Sequence, residues 1–272
     1  MSSRMRQAPV LTLTAALAAT AVAPAVAPAV AADAVGAFIS RPLPDVVAQV
    51  RPSIVAIGTL QPTRAPNFEF RGTGFVIADG LTIVTNAHVL PVALDQERRE
   101  AIGIAVPMAE STALREARIL RVDHDTDLAL LRLEGARLPA LALAEEGMLR
   151  EGTDVALLGF PLGTVLGLYA AVHRGTVAAI TPLTIPTRRA QQLDPRALQR
   201  LRAGPLRLYQ LDANAFPGNS GSPLFELRTG SVVGIINQVV VRNAKEGALP
   251  GPSGITYAVP VRHLHELMAA GR

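Results

Sequence analysis

The chain has 272 residues, of which 49% are hydrophobic and 4% aromatic, and its formal net charge is +4 at neutral pH. That length and apolar content are sufficient for one large β-domain or for two small lobes that share an interface. A nucleic-acid-binding protein usually concentrates basic charge and aromatic side chains on one face, whereas basic and acidic residues alternate along most of this chain, so nucleic acid is not an expected partner. There is no cysteine, which excludes disulfides, a thiol nucleophile and a Cys-ligated zinc site.

The N-terminus has the pattern of a signal peptide. Arg4 and Arg6 precede an uncharged stretch, Gln7–Ala32, that is rich in Ala, Val and Leu and contains the small-x-small site Ala29–Ala31. We therefore predict a cleaved signal at residues 1–31 and an exported protein, either periplasmic or secreted. The stretch is also long enough to span a membrane, so an uncleaved N-terminus that keeps the protein near the membrane is the alternative.

Residues 32–52 are interpreted as a surface lead-in with a short amphipathic stretch at Val46–Val50. From Ser53 onward, short β-rich runs are separated by Gly, Pro and Asp, which is typical of an all-β protein. The predicted strands are Ile54–Leu60, Gly74–Ala78, Thr82–Thr85, Ile102–Val106, Leu114–Val122, Leu128–Leu133, Val155–Gly159, Gly175–Ile180, Leu208–Leu211, Ser222–Phe225, Val232–Val239 and Ile255–Val259.

Twelve strands suit two six-stranded antiparallel β-barrels, one at about 53–140 and one at about 150–260, with the crossing near 137–152. The last segment, 261–270, has apolar residues at helical spacing and is predicted to be a short C-terminal helix.

Two titratable residues lie at the ends of predicted strands. His88 follows Thr82–Thr85, and Asp127 precedes the apolar run Leu128–Leu133. Asp127 also ends an Asp-x-Asp-x-Asp run with Asp123 and Asp125, a pattern that can begin a calcium loop. A calcium loop then needs a glycine and a later glutamate, and an apolar strand follows instead, so no metal site is predicted and Asp123 and Asp125 are expected to be solvated turn residues.

The segment from Pro182 to Arg207 contains six arginines and a single aspartate. A solvated surface loop is one interpretation. The other is a mobile element that lies near the glycine-rich turn Gly218–Pro223 and orders it, or that attracts an acidic peptide or phospholipid surface.

The hexapeptide Gly218–Pro223 places the hydroxyl of Ser220 between glycines. Such a tight segment is often only a turn. It can also direct the amides of Gly218 and Ser220 to one point beside the nucleophile, which makes an oxyanion hole. We predict an oxyanion hole formed by Gly218, Asn219 and Ser220.

A serine hydroxyl needs an adjacent imidazole to take its proton, and the imidazole needs a carboxylate to fix its tautomer. In chain order, His88, Asp127 and Ser220 supply those three groups. The prediction is a Ser-His-Asp triad that cleaves acyl bonds through an acyl-enzyme.

Seven segments then match one family in register: Gly72–Ile77, Thr85–Val89, Thr126–Leu131, Gly159–Gly163, Leu211–Gly221, Val233–Asn237 and Gly254–Pro260. The chain resembles a trypsin-like serine protease of the HtrA type from about Ser53 to Leu264. The resemblance implies the chymotrypsin fold for residues 53–272, unfolded or extended polypeptides as substrates, no cofactor, and a monomer or trimer. Many HtrA-type proteases carry a PDZ domain after the protease domain, and none is expected in this chain.

The resemblance also locates a specificity pocket. In proteases of this fold the residue six positions before the nucleophile often lies at the pocket base, and here it is the uncharged Asn214. The predicted substrate-binding residues are Asn214, Ala215, Phe216, Ile235, Ile236 and Asn237. Since they are mostly apolar, we predict cleavage after small or medium aliphatic residues.

Two other functions share these features. A non-catalytic peptide-binding or holdase protein keeps the protease fold without turnover. A secreted protease resembling the glutamyl endopeptidases shares the fold and differs in its pocket chemistry.

Overall fold

The computed structural model describes residues 41–108, 111–183, 205–237 and 255–270. The described residues belong to one compact unit, Ile39–Arg272. The predicted signal peptide, residues 32–40 of the lead-in and most of the Arg-rich segment lie outside the described residues, and the predictions made for them stay predictions.

The first half of the described chain forms a closed barrel of six strands, in the spatial order β1-β2-β3-β6-β5-β4. Its strands are β1 (Ile54–Leu60), β2 (Phe68–Ile77), β3 (Thr82–Asn86), β4 (Ala101–Pro107), β5 (Thr112–Asp123) and β6 (Leu128–Leu133). Every pairing in it is antiparallel.

The second half forms another closed six-stranded barrel, in the order β10-β11-β12-β9-β8-β7. Its strands are β7 (Asp154–Gly159), β8 (Ala171–Leu183), β9 (Leu206–Leu211), β10 (Pro223–Glu226), β11 (Val232–Asn237) and β12 (Thr256–Pro260). Its pairings are also antiparallel, so the predicted class of two six-stranded antiparallel β-barrels is confirmed.

Three α-helices are present among the described residues: α1 (Leu43–Val50), α2 (Gly163–Leu166) and α3 (Val261–Ala269). The predicted C-terminal helix is confirmed as α3, and its apolar face, including Leu264, is buried. None of the helices in the described ranges is long and apolar enough to cross a membrane.

Helix α1 corrects the expectation that the lead-in lies only on the surface. Val46 and Val50 are both fully buried in the core that the two barrels share. They are four residues apart, so they lie on the same helix face, and that face packs inward.

The core consists of three clusters of buried side chains. One lies inside the first barrel and includes Ile104, and one lies inside the second barrel and includes Leu157. The third contains residues from both barrels and all but the shortest of the helices, with Phe75 and Phe160 among them.

The segment that crosses between the barrels is bound to both of them. Leu141 bridges Ile77 of the first barrel, and Leu143 bridges Val232 of the second. The site described next lies where the two barrels meet.

Candidate active site

A turn formed by Asp123 holds Asp127 at the start of β6. One carboxylate oxygen of Asp123 accepts the backbone N–H of Asp125 at 3.0 Å, and the other accepts the hydroxyl of Thr126 at 2.7 Å. Asp127 follows with φ of 56°, a left-handed conformation that Asp tolerates better than most residues. Asp123 is thus a turn residue, as expected, and its carboxylate also stabilises the turn that precedes Asp127.

The backbone carbonyl of Asp127 is fixed by the neighbouring strand β3. It accepts hydrogen bonds from the backbone N–H of Ala87 and the side-chain amide of Asn86, both at 3.0 Å. These bonds tie the acid to the residues that immediately precede His88.

The carboxylate of Asp127 holds the imidazole of His88 in one orientation. Oδ2 lies 2.5 Å from Nδ1 of His88, and Oδ1 accepts the backbone N–H of His88 at 2.9 Å. Oδ2 also accepts the side-chain amide of Asn237 at 2.9 Å. An ionised carboxylate only accepts hydrogen bonds, so Nδ1 carries the ring proton and Nε2 is left as the basic nitrogen.

The backbone around Ser220 is held in a tight turn by hydrogen bonds on both sides. The N–H of Asn219 donates to the carbonyl of Phe216 at 2.9 Å, and the carbonyl of Asn219 accepts the N–H of Ser222 at 3.0 Å. The carbonyl of Pro217 accepts the N–H of Leu162 at 2.7 Å. In a trans peptide the C=O and N–H point in opposite directions, so the Gly218 N–H points away from Leu162.

Two amides of this turn differ from their neighbours. Among the described residues, the N–H groups of Gly218 and Ser220 donate to no acceptor. Gly218 has φ of +101°, and a Cβ there would lie 2.3 Å from the carbonyl oxygen of Phe160. Only glycine fits this position, and it leaves an amide without a side chain beside it.

Strand β2 lies between the serine turn and the histidine. A Cβ at Gly72 would lie 2.8 Å from Cγ2 of Val89 and 3.1 Å from the carbonyl oxygen of Ser220. Ser220 and Val89, the residue after His88, are therefore close to the same glycine. The described residues contain no hydrogen bond between the His88 ring and the Ser220 hydroxyl, and such bonds are often long before substrate binds.

The predicted substrate-binding residues differ in their exposure. Asn214 is exposed, and Ala215 and Phe216 are half-buried. Ile235 and Ile236 are fully buried and their side chains belong to core clusters. Asn237, also predicted to bind substrate, is buried and donates to Asp127, a contact that sequence reasoning missed.

A second feature that sequence reasoning missed is the position of His173 on β8. Its ring lies beside that of Phe216, with the centroids 5.7 Å apart. Nε2 of His173 is buried and has no hydrogen-bond partner in the described part of the chain. Burial lowers the pKa of His173, so its ring is neutral at neutral pH.

Comparison with known proteins identifies the family. Residues 72–235, which include His88, Asp127 and Ser220, match the family model of the trypsin-like peptidase domain. The chain belongs to this family. The resemblance to HtrA-type proteases is also confirmed, because proteins named as DegP-like and HTRA serine proteases are among the relatives of this chain.

One such relative is a probable periplasmic serine endoprotease, DegP-like, from Halomonas elongata. It is 32% identical over 190 residues, which cover 70% of this chain and 32% of the relative. The serine protease HTRA4 of Mus musculus is 31% identical over 227 residues, which cover 82% of this chain and 39% of the relative. The chain thus spans about a third of the length of the curated relatives that it matches.

A solved structure agrees with this trypsin-like fold. The serine endoprotease from Yersinia pestis aligns with a TM-score of 0.58 at 23% identity, over 85% of this chain and 66% of that one. At this identity the likeness shows the two-barrel fold alone.

Proposed function

We propose that this trypsin-like peptidase is an exported serine endopeptidase that cleaves unfolded or extended polypeptides. The observation that carries the proposal is the orientation of His88 by Asp127, whose two carboxylate oxygens hold Nδ1 of the imidazole and the backbone N–H of His88. Family membership supports the same chemistry.

In the proposed reaction, Nε2 of His88 takes the hydroxyl proton as Oγ of Ser220 attacks the carbonyl carbon of the scissile bond. Negative charge develops on the carbonyl oxygen, and the amides of Gly218 and Ser220 donate hydrogen bonds to it. Nε2 then gives the proton to the leaving amine, and the acyl group stays on Oγ. Water repeats the sequence and releases the carboxylic acid, while Asp127 stabilises the imidazolium in both halves.

The substrate class follows from how a chain is presented to this site. An extended polypeptide offers its main-chain N–H and C=O groups for hydrogen bonds, which tolerate different sequences. Ala215 and Phe216, the half-buried apolar residues of the predicted pocket, favour small or medium aliphatic side chains before the cleaved bond. Export is supported by the signal-like pattern of residues 1–31 and by the periplasmic relatives.

A fluorophosphonate probe tests the triad directly, because an activated serine displaces its fluoride and becomes phosphonylated, whereas an ordinary serine does not react. We expect the wild-type protein to take the label and to cleave unfolded casein, and Ser220→Ala to do neither. Ser53→Ala is the matched control, because Ser53 is also a buried serine, with a hydroxyl that has no partner in the described region, and it should retain both activities.

Two results would overturn this proposal. Wild-type protein that binds casein without cleaving it would instead be a peptide-binding protein on a protease fold. Cleavage that survives in Ser220→Ala would assign the activity to another group or to a contaminant.

A further inference from the structure

Thr73 is a fully buried residue of β2 that bonds to the turn of Ser220 in two ways. Its hydroxyl donates to the carbonyl oxygen of Gly218 at 2.7 Å and accepts the backbone N–H of Phe160 at 3.1 Å. Its backbone N–H donates to the carbonyl of Ser220 at 2.9 Å. Thr73 therefore connects the first barrel to the serine turn of the second.

The same residue is also bonded to the strand that leads to His88. The carbonyl of Thr73 accepts the hydroxyl of Thr85 at 2.8 Å, and Thr85 lies in β3, three residues before His88. A single residue of β2 is thus bonded both to β3, the strand that precedes His88, and to the turn that contains Ser220.

The hydroxyl of Thr73 holds the Gly218 carbonyl, a carbonyl of the turn that no backbone N–H holds among the described residues. Among the described residues, the carbonyls of Pro217, Asn219 and Ser220 each accept a backbone N–H, whereas that of Gly218 accepts only the Thr73 hydroxyl. Gly218 also has no side chain to restrict its rotation. The Gly218–Asn219 peptide lies between the two amides that donate to no acceptor, and two bonds hold it: the Asn219 N–H donates to the Phe216 carbonyl, and the Gly218 carbonyl accepts the Thr73 hydroxyl.

We propose that the hydroxyl of Thr73 is a positioning group that keeps the Gly218 and Ser220 amides directed at the developing oxyanion. This inference rests on the proposed function, because it assigns a role within the same site. Thr73 itself does not touch the substrate. Its hydroxyl acts as a relay, with the Phe160 N–H donating to it and with its own proton donated to Gly218.

Valine at this position would keep the shape and both backbone bonds but lose the relay. The Gly218 carbonyl would then lack its donor and the buried N–H of Phe160 would lack its acceptor, and buried groups left without partners are costly. The Gly218–Asn219 peptide would then be held only through the Asn219 N–H, and it would tilt about that bond as the Gly218 carbonyl turns to a new partner. The amides beside it would then turn away from the oxyanion.

The test compares Thr73→Val with Thr73→Ser on an extended peptide substrate. We expect kcat to fall about 10- to 100-fold in Thr73→Val, with KM changed less than about threefold, because oxyanion donors act mainly in the transition state. Thr73→Ser retains the relay and should keep kcat within about threefold of the wild type.

Thr59→Val provides the matched control, because Thr59 is a buried threonine of the first barrel whose hydroxyl accepts a hydrogen bond from Arg64. This control should lower the Tm without changing kcat. If Thr73→Val does not fold, Thr73→Ala assayed at low temperature removes the same hydroxyl and carries the same expectation.

The outcomes separate this inference from the proposed function. An active wild type whose kcat is unchanged in Thr73→Val, or whose loss is equal in Thr73→Ser, overturns the positioning role alone. A loss confined to KM also overturns it. Wild-type protein that neither labels with fluorophosphonate nor cleaves peptides overturns the proposed function and this inference together.

Discussion

Single glycines give the serine turn a backbone that other residues do not fit. Gly221 has φ of +85°, and a Cβ there would lie 2.1 Å from the carbonyl oxygen of Thr73 and 2.5 Å from the hydroxyl of Thr85. The turn therefore packs directly on the backbone of the opposite barrel. This close approach is what allows Thr73 to reach the turn at all.

Two variants, Gly221→Ala and Gly152→Ala, separate two effects on stability: the close packing of the turn on the first barrel, and the left-handed backbone conformation. Gly152 has nearly the same φ, +83°, but nothing lies within 4 Å of its Cβ position. We expect Gly152→Ala to lower the free energy of unfolding by about 1–2 kcal/mol through the left-handed conformation alone. Gly221→Ala should cost about 3 kcal/mol or more, because a clash with fixed backbone is added.

Urea denaturation measures both free energies, and kcat/KM on a peptide substrate measures the effect on the site. Activity should fall in Gly221→Ala and stay at the wild-type level in Gly152→Ala. Equal losses of stability in the two variants would show that the contact with the first barrel contributes nothing.

The sequence predicted His88, Asp127 and Ser220 as site residues, because each lies in a short motif whose neighbouring residues identify it. The relay of Thr73 was not predictable in this way, since its acceptor Gly218 is 145 residues away and the direction of a hydroxyl depends on the folded backbone. The same holds for His173, whose contact with Phe216 depends on where the segment after β9 passes β8.

At the scale of elements, each of the twelve strands in the described residues was predicted, but the ends were predicted correctly only for β1 and β6. Strand β2 begins at Phe68 rather than Gly74, and β8 begins at Ala171 rather than Gly175. In the first part of β2 the side chains alternate between half-buried and exposed, and it pairs with β1 beyond a bulge at Ile57/Gly58. Cross-strand pairing extends these strands, and pairing is not visible in a local pattern.

The hairpin between β2 and β3 is held by Asp79. Its carboxylate accepts the backbone N–H groups of Leu81 and Thr82, at 3.0 and 3.1 Å, and pairs with Arg132 on the neighbouring strand β6. The hydrogen bond from Arg132 is the largest cause that lowers the pKa of Asp79 from 3.8 to about 2. A carboxyl with a lowered pKa stabilises the folded state only while it is ionised.

Asp79→Asn should therefore destabilise the protein in a pH-dependent way. The contribution of Asp79 is fully present above about pH 4 and is lost as the pH falls from about 4 toward 2, because the folded state then also binds the proton. The pair is over a third exposed, so we expect a loss of only about 0.5–1 kcal/mol at pH 7.

Thermal unfolding of both proteins between pH 7 and pH 2.5 measures this difference. The gap in Tm should narrow below about pH 4, and Glu97→Gln, at an exposed carboxylate without a side-chain partner in the described residues, should show no gap at any pH. A gap that stays constant down to pH 2.5 would contradict the role of the ionised carboxylate.

At the scale of the whole molecule, the two barrels share one core. The shared cluster includes Phe75 of the first barrel, Phe160 and Phe225 of the second, Val46 of α1 and Leu264 of α3. Exposing either barrel alone would uncover part of this cluster. The barrels should therefore unfold together despite their separate hydrogen-bonded sheets.

Calorimetry of two core variants tests this cooperativity. Ile104→Ala lies inside the first barrel and Leu157→Ala inside the second, and each should lower the free energy of unfolding by about 2–5 kcal/mol. Both should shift one and the same transition to lower temperature. Two resolved transitions, with each variant moving only one, would show that the barrels are independent.

The proposed acid Asp127 and the imidazole of His88 come from the first barrel. Ser220 and Asn237, whose side-chain amide donates to Asp127, come from the second. On the proposed function, a nascent polypeptide that has completed only the first barrel holds a base with nothing to activate. Cleavage must wait until synthesis has reached the latter part of the chain and that part has docked. The order of the segments thus delays proteolysis until both barrels have folded.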